Sequence, residues 1–320
     1  MADVFGRTWL KKGGSWAPME QGTHRIYTNN DAEDGWGTGT SEQGEALAYV
    51  KIDSSNYVRC YPSKQDGPHR SDLIMDYDFM ENLRIGVTGN QTYEGSYKGG
   101  DVKDQSSNQI NQAQAPPSGA TWVRGAMSSG DRYIFGYFDF DGTNDYLACQ
   151  NDSGSTYDID PNDGLSVSTW CYSDGNHNGI MLSGDDPAGR ARIFQLKMKS
   201  TGKWLAICFK NGGTSTIPAT IAGSNTTWTH VAFTATKSGN DHIVKLYING
   251  QLEDTETWTD SSGNMSSGTP QCTIGMQEHG DNGNPFNGRI ATVRMWQDRV
   301  LTDAEVEEDY DHWATFRFGH

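Results

Sequence analysis

The stretch Asp174-Gly175-Asn176-His177-Asn178-Gly179, with Asp185 at the twelfth position, matches the front of a calcium-binding loop. Calcium takes oxygen ligands, and such loops supply them from alternate residues around a glycine bend. On this reading Asp174, Asn176, Asn178 and Asp185 are the candidate ligands. Two features oppose it: the flanks read as strands rather than helices, and the last donor is Asp rather than the longer Glu. The plain alternative is a polar turn leading into the strand GIMLSG. The Asp-rich loop EHGDNGN (278–284) poses the same choice.

Sugar recognition asks for a different set. An aromatic ring covers the apolar face of a sugar, while Asp, Asn and backbone groups fix its hydroxyls. Trp204 and Trp258 lie beside turns or polar stretches, and His177 and His279 lie in polar loops, the latter with Asp281 and Asn282. These six are the candidate glycan contacts, although packing is the competing role for both tryptophans. The sequence has no Gly-x-Ser-x-Gly, P-loop or dinucleotide fingerprint and no HExxH. None of the five cysteines forms a CxxC pair, so zinc is not indicated.

The elements that would position these residues are short strands. EALAYVKI (45–52), NYVRCY (56–61), DLIMDYDF (72–79) and LRIGVTG (83–89) are bounded by Gly, Asn, Asp or Pro, and predict a small β-rich domain over 1–103. DQSSNQINQAQAPPSGA (104–120) is rich in Gln, Asn and Ser and reads as a linker or an extended arm. From about Tyr133 the strand signals sharpen within a domain taken as 121–320. RIFQLKMK and KWLAICFK flank the hairpin signal Ser200-Thr201-Gly202. WTHVAFTAT turns Val231, Phe233 and Ala235 to one side. VKLYING does the same with Val244, Leu246 and Ile248 before a turn at Asn249-Gly250. LTDAEVEEDYDHW (301–313) predicts a helix, with Thr302 and Glu305 as a capping box and Leu301 with Val306 as a hydrophobic staple.

The totals bound what such a chain can meet. Its 320 residues suit two domains, and 38 Gly, 10 Trp and 14 Tyr suit many turns around an aromatic core. A net charge of −16 repels nucleic-acid phosphates and anionic lipid, so neither is an expected partner. Cys171 and Cys208 sit in apolar stretches and read as small buried hydrophobes. The odd, scattered cysteine count fits synthesis in a reducing cytoplasm. The start MADVFGRTWLKKGG has no apolar signal region, and no stretch approaches the ~18 apolar residues of a membrane span.

Six segments in order carry a family resemblance: FDGTNDYL (140–147), LSVSTWCY (165–172), WTHVAFT (228–234), VKLYINGQLED (244–254), TIGMQ (273–277) and FNGRIATVRMWQDRVLTDAEV (286–306). Together they resemble the laminin-G-like jelly-roll domains of the concanavalin-A-like lectin/glucanase superfamily, over about residues 133–313. The resemblance implies an all-β fold: two packed antiparallel sheets with one short C-terminal helix, preceded here by the smaller β-rich domain. Trp170, Trp228 and Trp296 lie inside the family segments and read as core. Members bind glycans, proteins or lipids, often with calcium near one rim, and some relatives are glycoside hydrolases or polysaccharide lyases.

Neither chemistry is well supported by the residues. The hydrolases carry paired carboxylates close together on one strand, and the nearest approach here, Glu253 and Glu256 beside Asp254, reads as a solvated strand face. His69, Arg70, Tyr93, Tyr97 and Lys98 offer the residue types of a lyase, but no Gln-x-His strand accompanies them in that short region. The layout of an anchoring domain, a polar arm and a jelly roll resembles bacteriophage virion proteins, made in the host cytoplasm without an export signal. The expectation is a non-enzymatic virion surface protein, as capsid decoration or tail appendage. It would display a glycan- or protein-binding domain, partner other virion proteins and host-surface glycan as a homo-oligomer, and require no cofactor, with calcium as an option. A carbohydrate-binding module of a cellular protein and a polysaccharide-degrading enzyme are the alternatives.

Overall fold

The fold is given by a computed structural model, which describes residues 9–12, 15–18, 48–51, 57–60, 69, 71–79, 91–92, 106, 112–114, 120–124, 136–150, 157–185, 192–211, 216–222, 226–261, 263–277 and 283–314. The chain divides into two compact units, one of residues 1–66 with 125–134, the other of 67–124 with 135–320. In the first, β1 (Trp9–Lys12) pairs antiparallel with β2 (Ser15–Pro18), and β3 (Ala48–Lys51) with β4 (Tyr57–Cys60).

The second unit begins with β5 (Leu73–Asp78), β6 (Gln91–Thr92), β7 (Gln112–Gln114), β8 (Thr121–Arg124), β9 (Gly136–Asp141) and β10 (Leu147–Gln150). Next come β11 (Leu165–Ser173), β12 (Gly179–Asp185), β13 (Arg192–Met198), β14 (Lys203–Phe209) and β15 (Thr216–Ala222). It closes with β16 (Trp228–Ser238), β17 (Asp241–Ile248), β18 (Gln251–Thr259), β19 (Gln271–Ile274), β20 (Asn287–Gln297) and the helix α1 (Asp303–Trp313). One sheet runs β15-β14-β13-β12-β19-β10-β7. The other runs β18-β17-β16-β11-β20-β9-β8-β6, with β5 also on β20. All these pairings are antiparallel.

Strand alternation builds the core between the two sheets. Val231, Phe233 and Ala235 of β16 and Val244 and Leu246 of β17 face inward as the sequence predicts. Phe194, Leu196, Ala206 and Cys208 meet them from the other sheet, with the rings of Phe194 and Phe233 5.7 Å apart. Cys149, Cys171, Cys208 and Cys272 are all buried. The expected two-sheet sandwich with one short C-terminal helix is therefore what forms.

The turns follow their local chemistry. Asn249 (φ 49°) and Gly250 (φ 79°) give the two-residue connection between β17 and β18 its positive dihedrals, the geometry that matches strand twist. Thr302 accepts from the Glu305 N–H at 3.2 Å, and Glu305 accepts from the Thr302 N–H at 2.8 Å. Leu301 and Val306 are buried in one cluster, so the box and the staple both stand.

The sandwich reaches further back than residue 121. β5, read from sequence as part of the small N-terminal domain, pairs with β20 from Leu73↔Trp296 to Asp78↔Thr292. It sends Met75 and Tyr77 into the core, joined by Phe79. The stretch 104–120, read as a linker or arm, supplies β7 to the edge of the seven-stranded sheet and Ala120 to the core. Backbone amides alone suffice for such an edge strand, so a Gln-rich segment can pair without apolar side chains. The expected strand at 83–89 lies outside the described residues.

Helix α1 lies on the outer face of the nine-stranded sheet. Leu301 and Val306 cover Ala232, Tyr247 and Trp296, while Trp313 and Ala314 cover Trp170 and Ala291. Beneath it, Asp309 accepts from the Ser168 hydroxyl at 2.8 Å, lies 3.2 Å from His230 Nε2 and is paired with Arg294. At the far edge, β18 pairs only with β17 among the described strands. It is largely exposed, carries Glu253, Asp254 and Glu256, and has a register shift opposite Leu246 and Tyr247.

Candidate functional site

Inward placement of Phe138, Phe140, Cys171 and Ile290 leaves Tyr137, Asp139, Tyr172 and Arg289 on the outer face of the nine-stranded sheet. Register aligns them in one row: Trp228 of β16 opposes Tyr172 of β11, which opposes Arg289 of β20, which opposes Asp139 of β9. Gly288 makes the row possible. Its φ is 150°, and any Cβ there would collide with the Tyr172 carbonyl oxygen.

Trp228, Tyr137 and Tyr172 are all partly exposed. Trp228 meets Tyr137 and Tyr172 edge-on, at centroid distances of 5.6 and 5.9 Å. The Arg289 guanidinium lies 4.5 Å from the Tyr172 ring centroid and 5.6 Å from that of Tyr137, within cation–π range. Its Nε is 3.8 Å from an Asp139 oxygen and its Nη2 3.7 Å from an Asp174 oxygen. Both separations exceed hydrogen-bond length, and Nε has no hydrogen-bond partner among the described residues. Burial pushes the Asp139 carboxyl above its ordinary value; Arg289 opposes this, while Asp174 and Asp141 add to it. Burial likewise raises the Tyr137 hydroxyl. The result is a partly exposed aromatic surface carrying one arginine between two carboxylates.

Of the candidate site residues named from sequence and described in the structure, only Asp174 reaches this patch. Trp204 is fully buried in the core, which corrects its assignment as a glycan contact. Trp258 packs against the core, stacked on His242 at 4.4 Å with the Lys210 amine 3.7 Å from its ring centroid, so it offers little free surface. His177 has a structural duty. Its Nδ1 donates to the Gly175 carbonyl at 2.9 Å, and its Nε2 accepts from the Asn287 N–H at 2.9 Å. That pairing fixes one neutral tautomer. Asn178 donates to Asn284 at 2.6 Å, and Asn176 lies against Gly202.

The calcium-loop reading fails on geometry. Gly179–Asp185 is the extended strand β12, so Asp185 lies about 20 Å beyond the turn that holds Asp174, Asn176 and Asn178. Among the described residues no group of three or more His, Cys, Asp or Glu side chains could hold a metal ion. His279, Asp281 and Asn282 lie outside the described residues, as do Arg70, Tyr93, Tyr97 and Lys98 of the lyase reading. His69 is described: its carbonyl accepts from Trp296 Nε1, and its ring faces Glu305 and Glu308.

A family model described as the concanavalin A-like lectin/glucanases superfamily matches residues 141–307. The chain belongs to this superfamily. Among solved structures it is similar to the botulinum neurotoxin serotype D binding domain, at 14% identity and a TM-score of 0.47, over 76% of this chain and 51% of that one. The serotype D ligand binding domain in complex with N-acetylneuraminic acid is similar at 13% identity and a TM-score of 0.47, over 76% and 51%. A SAP-like pentraxin from Limulus polyphemus is similar at 19% identity and a TM-score of 0.39, over 53% and 78%. The chain thus spans about half the length of the neurotoxin chains it matches. No curated protein matches the sequence significantly.

Within this concanavalin A-like sandwich, Ser168, His230 and Asp309 have the residue types of a hydrolytic triad but not its arrangement. Serine and histidine both bond the same Asp309 oxygen, so no base serves the hydroxyl, and all three side chains are sealed between α1 and the sheet. Burial opposes ionisation of Asp309, but Arg294 and the bonds from His230 and Ser168 outweigh it and hold the carboxyl far below the usual range. Sequence reasoning missed Trp228, Tyr172, Tyr137, Arg289 and Asp139. The available signal was alternation: in LSVSTWCY and WTHVAFT, Tyr172 and Trp228 fall out of phase with the inward residues Cys171 and Val231.

Proposed function

We propose that this chain is a non-catalytic recognition module that binds glycan through the Trp228–Tyr172–Arg289–Asp139 row. The carrying observation is a partly exposed aromatic cluster placed beside an arginine and two carboxylates that stand beyond hydrogen-bond length of one another. That combination provides apolar surface for a sugar ring and polar groups for its hydroxyls. The test is binding of the full chain to a glycan array, alone and as Trp228→Ala and Tyr172→Ala. Binding that drops about tenfold or more in both variants supports the site; undiminished binding in both overturns it. EDTA should leave the binding unchanged, because the calcium-loop donors stand apart.

The preceding strand unit and the acidic surface support a mounted role, with the sandwich displayed in several copies on a virion surface and turned toward host-surface glycan. Co-sedimentation of the protein with intact particles is the measurement. A protein that stays monomeric and joins no particle would favour the alternative, a carbohydrate-binding module of a cellular protein.

A further inference from the structure

We infer that the patch takes a neutral sugar presenting adjacent hydroxyls, in preference to a sialylated or otherwise carboxylated glycan. This rests on the glycan-binding reading of the same site and adds the class of ligand. Among the described residues the Arg289 guanidinium has no hydrogen-bond partner, and its side chain is 31% exposed. Among the described residues the side-chain oxygens of Asp139 and Asp174 likewise face Arg289, at 3.8 and 3.7 Å. The site therefore presents donors and acceptors side by side at a partly exposed surface. A hydroxyl donates and accepts at once, so a pair of adjacent hydroxyls can take hydrogen bonds from Arg289 and return them to the two aspartates.

A carboxylate cannot do this, because it only accepts. It would also stand as a third negative group around one guanidinium already facing two, with Asp141 close enough to act on Asp139. The chain's net charge of −16 adds long-range repulsion. A cationic ligand meets the opposite obstacle. The face of Tyr172, the natural seat for an ammonium group, is occupied by the guanidinium itself. A neutral polyol is the class that satisfies every group in the row. Trp228 and the tyrosines add contact for its C–H face.

The experiment uses the full chain on an array of matched glycans, each present with and without terminal sialic acid, beside immobilised phosphocholine. The expected result is binding to neutral members at least about tenfold above their sialylated partners. Arg289→Gln should lose most of that binding, and Asp139→Ala with Asp174→Ala should bring neutral and sialylated partners towards parity. Asp174 lies in a loop, so Asp174→Ala alone provides a variant whose fold is secure, and thermal unfolding checks the others. Preference for sialylated partners, lost in Arg289→Gln, would overturn this inference and leave glycan binding at the patch standing. Preference for phosphocholine would overturn it in favour of a cationic headgroup. Glycan binding indifferent to Trp228→Ala and Arg289→Gln, or none at all, would overturn the underlying reading as well.

Discussion

Two single residues set opposite pH responses in neighbouring turns. His177 must stay neutral to accept from the Asn287 N–H, and burial lowers its pKa below the ordinary 6.5. The unfolded chain therefore takes up that proton first as pH falls, so this contribution is complete above about 6.5 and is lost as pH drops through the folded value. Asp145 runs the other way. It accepts from the Asp141 N–H at 3.0 Å, and burial pushes its carboxyl up to about 6. The folded chain here holds the proton longer, so its contribution is present at pH 4 and is lost as pH rises through 6. Asp145→Asn should be more stable than the parent at pH 7 by about 1–3 kcal/mol and nearly equal at pH 4, read by urea unfolding. His177→Gln keeps an acceptor without titrating and should flatten the loss of melting temperature between pH 7 and 5; an unchanged slope would refute this role. The sequence could name His177 as polar and loop-bound, but not its duty. That duty depends on Asn287, which is 110 residues away and is brought near by the β11–β20 pairing.

At the scale of elements, α1 is held by two devices of different strength. Its capping box was fully legible, because Thr302 and Glu305 act within one turn. Thr302→Ala should cost about 1 kcal/mol. The buried Asp309 contact was not legible, since its partners come from β11, β16 and β20. Asp309→Ala removes the acceptor shared by Ser168, His230 and Arg294 in a sealed site, while Arg294 keeps Asp76 at 3.5 Å, and should cost about 2–3 kcal/mol, measured as a shift in the urea midpoint. A loss no larger than that of the cap variant would show that the cluster relaxes. The same local-versus-remote rule explains the candidate site. Trp228 carries a strand-forming side chain within a recognisable run and so reads as core, while Tyr172 in a similar run draws no assignment. Only the alternation phase, fixed once the second sheet supplies its face, turns them outward. Trp258 misled in the reverse direction, because the polar residues around it line an edge strand whose tryptophan points inward.

For the whole molecule, the sandwich needs chain from before the recognised segments. Met75, Tyr77 and Phe79 are fully buried, and their burial is together worth about 5–9 kcal/mol, comparable with the net stability of an ordinary domain. A fragment starting at residue 67 should fold, whereas one starting at 121 should aggregate or unfold at a markedly lower temperature; equal melting of the two would contradict the role of β5. Local patterning identified β5 as a strand yet could not say which sheet it joins, because its partner β20 lies more than 200 residues on. The exposed edge at β18 carries a last consequence, for how the protein behaves in bulk. A nine-residue strand that pairs on one side only among the described strands is a template for strand-by-strand polymerisation. Three carboxylates and a bulge stand guard over it. Their repulsion acts through water and fades as the screening length shrinks to about 3 Å in molar salt. Concentrated solutions should therefore stay clear at low ionic strength and turn viscous or fibrous in salt, and replacing Glu253, Asp254 and Glu256 with threonine should bring that transition on without salt.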